Sequence, residues 1–135
     1  MRFKDLSQAY IQEMWETWHC TIRDLVDEFN EDVFNGRGTL CEHRYFESPY
    51  LFLETKQGCL YVFPLPGDEF VLRLYKQKLA KTDPTMVAAM SQPGEENYLG
   101  GIRIPLHNSN SRMFRNALVL GLRTIYSEYW RSLLY

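Results

Sequence analysis

The sequence predicts an α+β domain: an antiparallel sheet of about four to five strands flanked by long N-terminal and C-terminal helices. Two observations carry this. Apolar residues recur at steps of three and four near both ends of the chain, the spacing of one helical face. Between them lie short apolar or alternating runs rich in aromatic residues, separated by Gly and Pro turn signals. Each apolar helix face must be covered, and a sheet between two helices supplies the cover. At 135 residues, with no linker-like stretch, the chain reads as a single domain over 1–135.

The first helix is predicted from about Asp5 to Asn35. Ile11, Trp15, Trp18, Ile22, Leu25, Phe29 and Val33 form its apolar stripe, flanked by Met14 and Val26. Glu13, Glu16, Asp24, Asp27, Glu28, Glu31 and Asp32 occupy the opposite face. Asp5-Leu6-Ser7-Gln8 has the form of a capping box, and Asn35-Gly36 supplies a left-handed stop. A helix of about thirty residues is roughly 45 Å long, whereas a compact domain of this size is roughly 35–40 Å across. The expectation is that the helix bends, breaks near Thr17 to Thr21, or packs part of its stripe against another chain.

A first strand is expected over Thr39 to Phe46, ended by Glu47-Ser48-Pro49. Tyr50–Thr55 and Cys59–Phe63 flank Lys56-Gln57-Gly58, the chemistry of a tight hairpin loop. Pro64 to Asp68 turns the chain. Glu69–Tyr75 then alternates, Phe70, Leu72 and Leu74 on one face and Val71, Arg73 and Tyr75 on the other, completing an antiparallel meander. Asp83-Pro84 places a cap and first-turn proline before a short helix over Thr85–Met90, and Gln92–Asn97 reads as a solvent loop. Tyr98–Leu106 is the last strand, with Gly100-Gly101 as a bulge or close approach and Pro105 indicating a sheet edge. A second helix is predicted from Ser111 to Leu134. Phe114, Leu118, Gly121, Leu122, Ile125, Tyr129 and Leu133 line its apolar side, and Arg112, Arg115, Arg123 and Arg131 make the remainder basic.

Composition excludes disorder, since 45% of residues are hydrophobic and 15% aromatic. The opening residues lack the form of a secretory signal, so the expected location is cytoplasmic, and no run is long enough for a membrane span. Cys20, Cys41 and Cys59 are odd in number and widely spaced, and read as free thiols. The net charge of −2 is unevenly placed: residues 1–54 carry five Lys and Arg against eleven Asp and Glu, and residues 55–135 carry ten against six. The acidic first helix and the basic last helix could lie together.

Catalytic signals are weak. Cys41 and His43 alternate on a strand and could converge on an ion, whereas His19 and Cys20 are helix neighbours that diverge by about 100°. No spaced cysteine pair supports a metal, and no cofactor is expected. Any cysteine could meet His19, His43 or His107, but no local signature marks a reactive thiolate. The carboxylates of the first helix lie on a solvated face that does not shift a pKa. Gly36-Arg37-Gly38 and Gly100-Gly101 lack a phosphate-loop lysine. No catalytic residue is assigned.

Two binding readings remain ahead of an enzyme or small-ligand pocket. The first is a non-enzymatic interaction module, an inhibitor, immunity-type or adaptor protein, in which Asp24, Asp27, Glu28 and Glu31 steer a protein partner and Trp15 and Trp18 anchor it. That partner could be a second copy of the chain. The alternative is nucleic-acid binding by a basic strand-end patch of Arg73, Tyr75, Lys76, Lys78, Lys81 and Arg103. The residues carry no signature of a named family.

Overall fold

The computed structural model describes residues 3–43, 49–79, 96–106 and 110–133, with the side chains of the first helix described from Ala9 onward. Helix α1 (Phe3–Phe34) leads into five strands, β1 (Thr39–His43), β2 (Tyr50–Glu54), β3 (Cys59–Leu65), β4 (Glu69–Tyr75) and β5 (Tyr98–Pro105). Helix α2 (Ser111–Ile125) follows, continued by a π turn at Tyr126–Trp130 and a 3-10 turn at Arg131–Leu133. All neighbouring strands pair antiparallel in the order β1-β2-β3-β4-β5. The predicted α+β meander is what the chain forms.

Helix α1 neither bends double nor breaks near Thr17. It is one element of 32 residues, about 48 Å long. From Ile11 to Phe34 its stripe is nonetheless sheltered within the subunit: Ile11, Met14, Trp15, Ile22, Leu25, Val26 and Phe34 are buried, and Trp18, Phe29 and Val33 pack against the same core. Over this stretch the subunit itself supplies the cover that the length argument left open between a bend, a break and a second chain. The sheet and α2 together offer enough length. The helix begins at Phe3, so Asp5–Gln8 lies inside it rather than capping it. Its end is as expected, with Asn35 at φ 53° and Gly36 at φ 72° turning the chain so that the Gly36 N–H donates to the Asn30 carbonyl at 3.1 Å.

Asn30 is the buried polar residue among the described residues. Its carboxamide donates to the Gly38 carbonyl at 3.1 Å and accepts from the Gly38 N–H at 2.9 Å, fixing the entry into β1. Gly38 is required by this approach, because a Cβ there would stand 2.5 Å from the Asn30 Oδ1.

In the β2–β3 hairpin Thr55 belongs to the loop: its hydroxyl accepts from the Gln57 and Gly58 N–H groups and donates to the Gly58 carbonyl. Pro64, expected to begin the next turn, is instead paired with Phe70. The β2 ladder reaches only Val62, so past that point β3 has no β2 partner to ask for the missing proline N–H. Gly67 and Asp68, both at positive φ, make the turn into β4. In β5 the register shifts between Leu74, opposite Gly100, and Tyr75, opposite Tyr98, which leaves Leu99 as the extra residue of a bulge. β5 is an edge strand, the position Pro105 indicated. The expected helix over Thr85–Met90, most of the loop before Asn97, and the strand residues beyond His43 lie outside the described residues.

Strand alternation splits the sheet. Leu51, Leu53, Leu60, Val62, Phe70, Leu72, Leu74 and Ile104 face the helices and make the main core with α1 and α2. Phe52, Cys59, Tyr61, Phe63, Val71 and Tyr75 form a second cluster on the outer face.

Helix α2 starts from Asn110, whose side chain accepts from the Met113 N–H at 2.9 Å. A regular helix would bring Tyr129 into the core four residues after Ile125. The π turn adds one residue, and Trp130 takes that place, fully buried, while the Tyr129 ring lies over Gly100. Trp18 meets Phe114 near the start of α2, and Phe34 meets Trp130 beyond its end. The helices therefore run parallel.

Candidate interaction surface

The acidic residues of α1 come to one exposed stripe. At about 100° per residue, Glu13, Glu16, Asp24, Asp27, Glu28 and Glu31 fall within about 60° of a single line over roughly 27 Å, and all six are exposed. Glu28 reaches Arg115 of α2 at 3.5 Å. Glu16 accepts from Gln12 at 3.1 Å, a neutral donor. Among the described residues Glu13, Asp24, Asp27 and Glu31 form no ion pair. The nearest cation of the helix sequence, Arg23, points to the other flank, 3.8 Å from Glu42. Repulsion among these carboxylates is tolerated because the buried face fixes the rod.

The predicted anchors divide. Trp15 is 1% exposed and packs on Phe70, so its ring is spent on the core. Trp18 is half-buried, with its ring 4.4 Å from Phe114 at the seam of the two helices.

On the outer sheet face the predicted basic patch is partly assembled. Arg73, Tyr75 and Arg103 share that face by strand register. The Lys78 ammonium lies 5.1 Å from the Phe52 ring and the Arg73 guanidinium 5.2 Å from that of Tyr98. Arg103 is held by Glu69 at 3.2 Å. Lys76 is exposed beyond β4, and Lys81 lies outside the described residues. Tyr75 is 2% exposed and meets Tyr61 edge-on, so its faces are already occupied. Sequence reasoning missed the extent of this face. His43, Tyr50, Phe52, Tyr61, Tyr75 and Tyr98 form an unbroken chain of ring contacts across all five strands. Register was the missing signal.

The two cysteine–histidine pairs are kept apart by the sheet. Cys41 and His43 point outward, and the His43 ring stacks on Tyr50 at 4.7 Å. Glu42 points to α1, where its carboxylate meets His19 Nδ1 at 2.9 Å. The divergence expected of His19 and Cys20 does not separate their side chains: the Cys20 sulfur lies 3.6 Å from Nε2 and 3.9 Å from Nδ1. Near-equal distances to both nitrogens put it beside the ring rather than on the Nε2 lone-pair axis, which is not the geometry of a nucleophile and its base. Among the described residues no group of three or more His, Cys, Asp and Glu side chains could hold a metal ion. His107 is outside them.

Cys59 is buried beside Tyr61, and burial pushes its thiol up to about 12. Desolvation likewise raises the Tyr61 phenol, whose oxygen accepts the Leu79 N–H at 3.0 Å. Neither group is poised for chemistry near neutral pH.

No described helix is long and apolar enough to cross a membrane. No family model, curated protein or solved structure matches this chain.

Proposed function

We propose that this chain is a small cytoplasmic interaction module, without catalysis of its own, that covers a basic surface of another protein with the exposed flank of α1. The observation that supports it is the run of unpaired carboxylates on a rod whose other side is locked into the core. A helix already fixed by its buried face loses little backbone entropy on docking. Like charges at close spacing raise the local field and speed encounter with a cationic partner. Trp18 faces the seam with α2, about 140° around the helix from the line of the charges, so the surface rests on its carboxylates. A symmetric dimer through this flank would set carboxylate against carboxylate, so the partner is a different protein with Lys or Arg exposed along a groove or helix.

Affinity capture from native extract, followed by carbodiimide crosslinking of the retained protein, tests the proposal. Retention should fall steeply between about 50 and 300 mM salt, because the Debye length shrinks below about 10 Å. Crosslinks should map to Asp24, Asp27 or Glu31, and the triple variant D24N/D27N/E31Q should lose the partner. Retention by that variant equal to wild type would discard this reading.

A further inference from the structure

The helices do not close against each other along their whole length. Between them lies a cleft of about 360 Å³, floored by Leu25, Val33, Val119 and Leu122, with the rings of Phe29 and Tyr126 beside them. Its α1 wall carries Glu28 and Asp32, and its α2 wall Arg115 and Arg123. Glu28 and Arg115 bridge the walls at 3.5 Å. Asp32 and Arg123 line the same cleft with no ion pair among the described residues. Both are exposed, Asp32 as an acceptor and Arg123 as a donor that no ion pair among the described residues occupies.

We propose that this cleft binds a small zwitterion with an apolar body, an α-amino acid with an aromatic or branched side chain. Its carboxylate would engage Arg123, its ammonium Asp32, and its side chain the aliphatic floor. A simple anion would satisfy Arg123 but be repelled by Asp32, and a simple cation would meet the reverse. A ligand with both charged groups on one carbon offers a partner to each wall, and guanidinium and carboxylate each form their strongest hydrogen bonds with an ionised partner. The cleft lies at the small end of the range for ligand sites, roughly 300–1,000 Å³, which suits one amino acid rather than a nucleotide.

Local backbone adds a second observation. Tyr126, at the cleft, opens the π turn, and its N–H is shared between the Arg123 and Leu122 carbonyls. A π turn costs hydrogen-bond regularity and is found often where a helix carries a site. Here it lies one turn beyond Arg123. The inference is independent of the proposed partner surface, whose distinguishing residues Asp24, Asp27 and Glu31 do not line the cleft.

Isothermal titration calorimetry and ligand-observed NMR, with L-phenylalanine and L-leucine as probes, test it. Phenethylamine and 3-phenylpropionate, each lacking one charge, and glycine, lacking the side chain, serve as comparisons. Saturable binding of at least one probe is expected, about tenfold or more tighter than either single-charge analogue. D32N and R123M should each weaken it about tenfold, and V119W, which fills the floor, should abolish it. The unfolding midpoint of D32N and R123M should match wild type, since both residues are exposed. No saturable binding of either amino acid up to ~10 mM, or equal binding by an analogue or by D32N and R123M, would overturn the assignment.

Discussion

The rings of Phe34 and Trp130 lie with centroids 4.7 Å apart, locking together the C-terminal ends of two parallel helices. Trp130 is fully buried and also meets Phe29 at 6.0 Å. Trp130→Ala should cost about 3–5 kcal/mol, read as a fall in the urea midpoint. Deleting the exposed Ser127 removes the extra residue and returns the tryptophan to regular helical spacing from Ile125. This deletion should keep the indole buried by fluorescence and cost less than the alanine substitution.

Asn30 serves both backbone groups of Gly38 from within the core. Asn30→Ala strands a donor and an acceptor, each worth about 1–3 kcal/mol when left buried and unpaired. A loss of about 2–4 kcal/mol is expected, with faster hydrogen exchange at the Gly38 amide. A loss within 0.5 kcal/mol, the usual surface range, would show that water replaces the side chain.

At Gly100 a Cβ would fall 2.4 Å from the Tyr129 ring. Gly100→Ala should therefore destabilise by about 1–3 kcal/mol through overpacking. Tyr129→Ala in the same chain should relieve much of that cost, giving a coupling energy of at least about 0.5 kcal/mol in a double-mutant cycle.

The Cys59 thiol ionises near 9.0 in an ordinary setting and near 12 in the fold, held up by burial. Between those values the folded state binds the proton that the unfolded chain has lost. Stability is then complete below pH 9 and falls as pH rises toward 12, by up to ~1.4 kcal/mol per unit for this group. The raised Tyr61 phenol adds in the same direction from its ordinary 10.0 upward. Urea melts at pH 8, 9.5 and 11 should show this decline, and Cys59→Ala should flatten it. A disulfide reagent at pH 8 should label exposed Cys20 and leave Cys59 untouched until unfolding.

Neutralising Asp24, Asp27 and Glu31 should not destabilise the chain. Each is exposed and free of ion pairs, and loss of like-charge repulsion along the helix contributes a few tenths of a kcal/mol in favour of folding. A midpoint equal to or above wild type is expected for D24N/D27N/E31Q, which separates any loss of partner binding from loss of fold.

How much of this was legible depends on the range of the interaction. Periodicity along α1 and alternation along β4 are local, and Phe70, Leu72 and Leu74 face the helices as their spacing demands. The Asn35-Gly36 stop and the bulge before Gly100 follow from φ freedom and the absence of a side chain. The face that carries Trp130 could not be read, because one inserted residue rotates everything after it, and a period of 3.6 assigns Tyr129 instead. Trp15 could not be told from Trp18 by spacing alone; what Phe70 and Phe114 place opposite them decides which is buried. The aromatic chain across the sheet and the interhelical cleft arise between elements distant in sequence. Composition registered the aromatics but not their alignment.

The strand order also sets a sequence of events. Each strand of the meander bonds to its neighbour along the chain, so the sheet can grow hairpin by hairpin, whereas Trp18 finds Phe114 only after nearly the whole polypeptide has been laid down. Closing so large a circuit costs more chain entropy than closing any one hairpin. The helix seam therefore ties the two ends of the chain together, and it does so through side chains as deeply buried as Phe114 and Trp130.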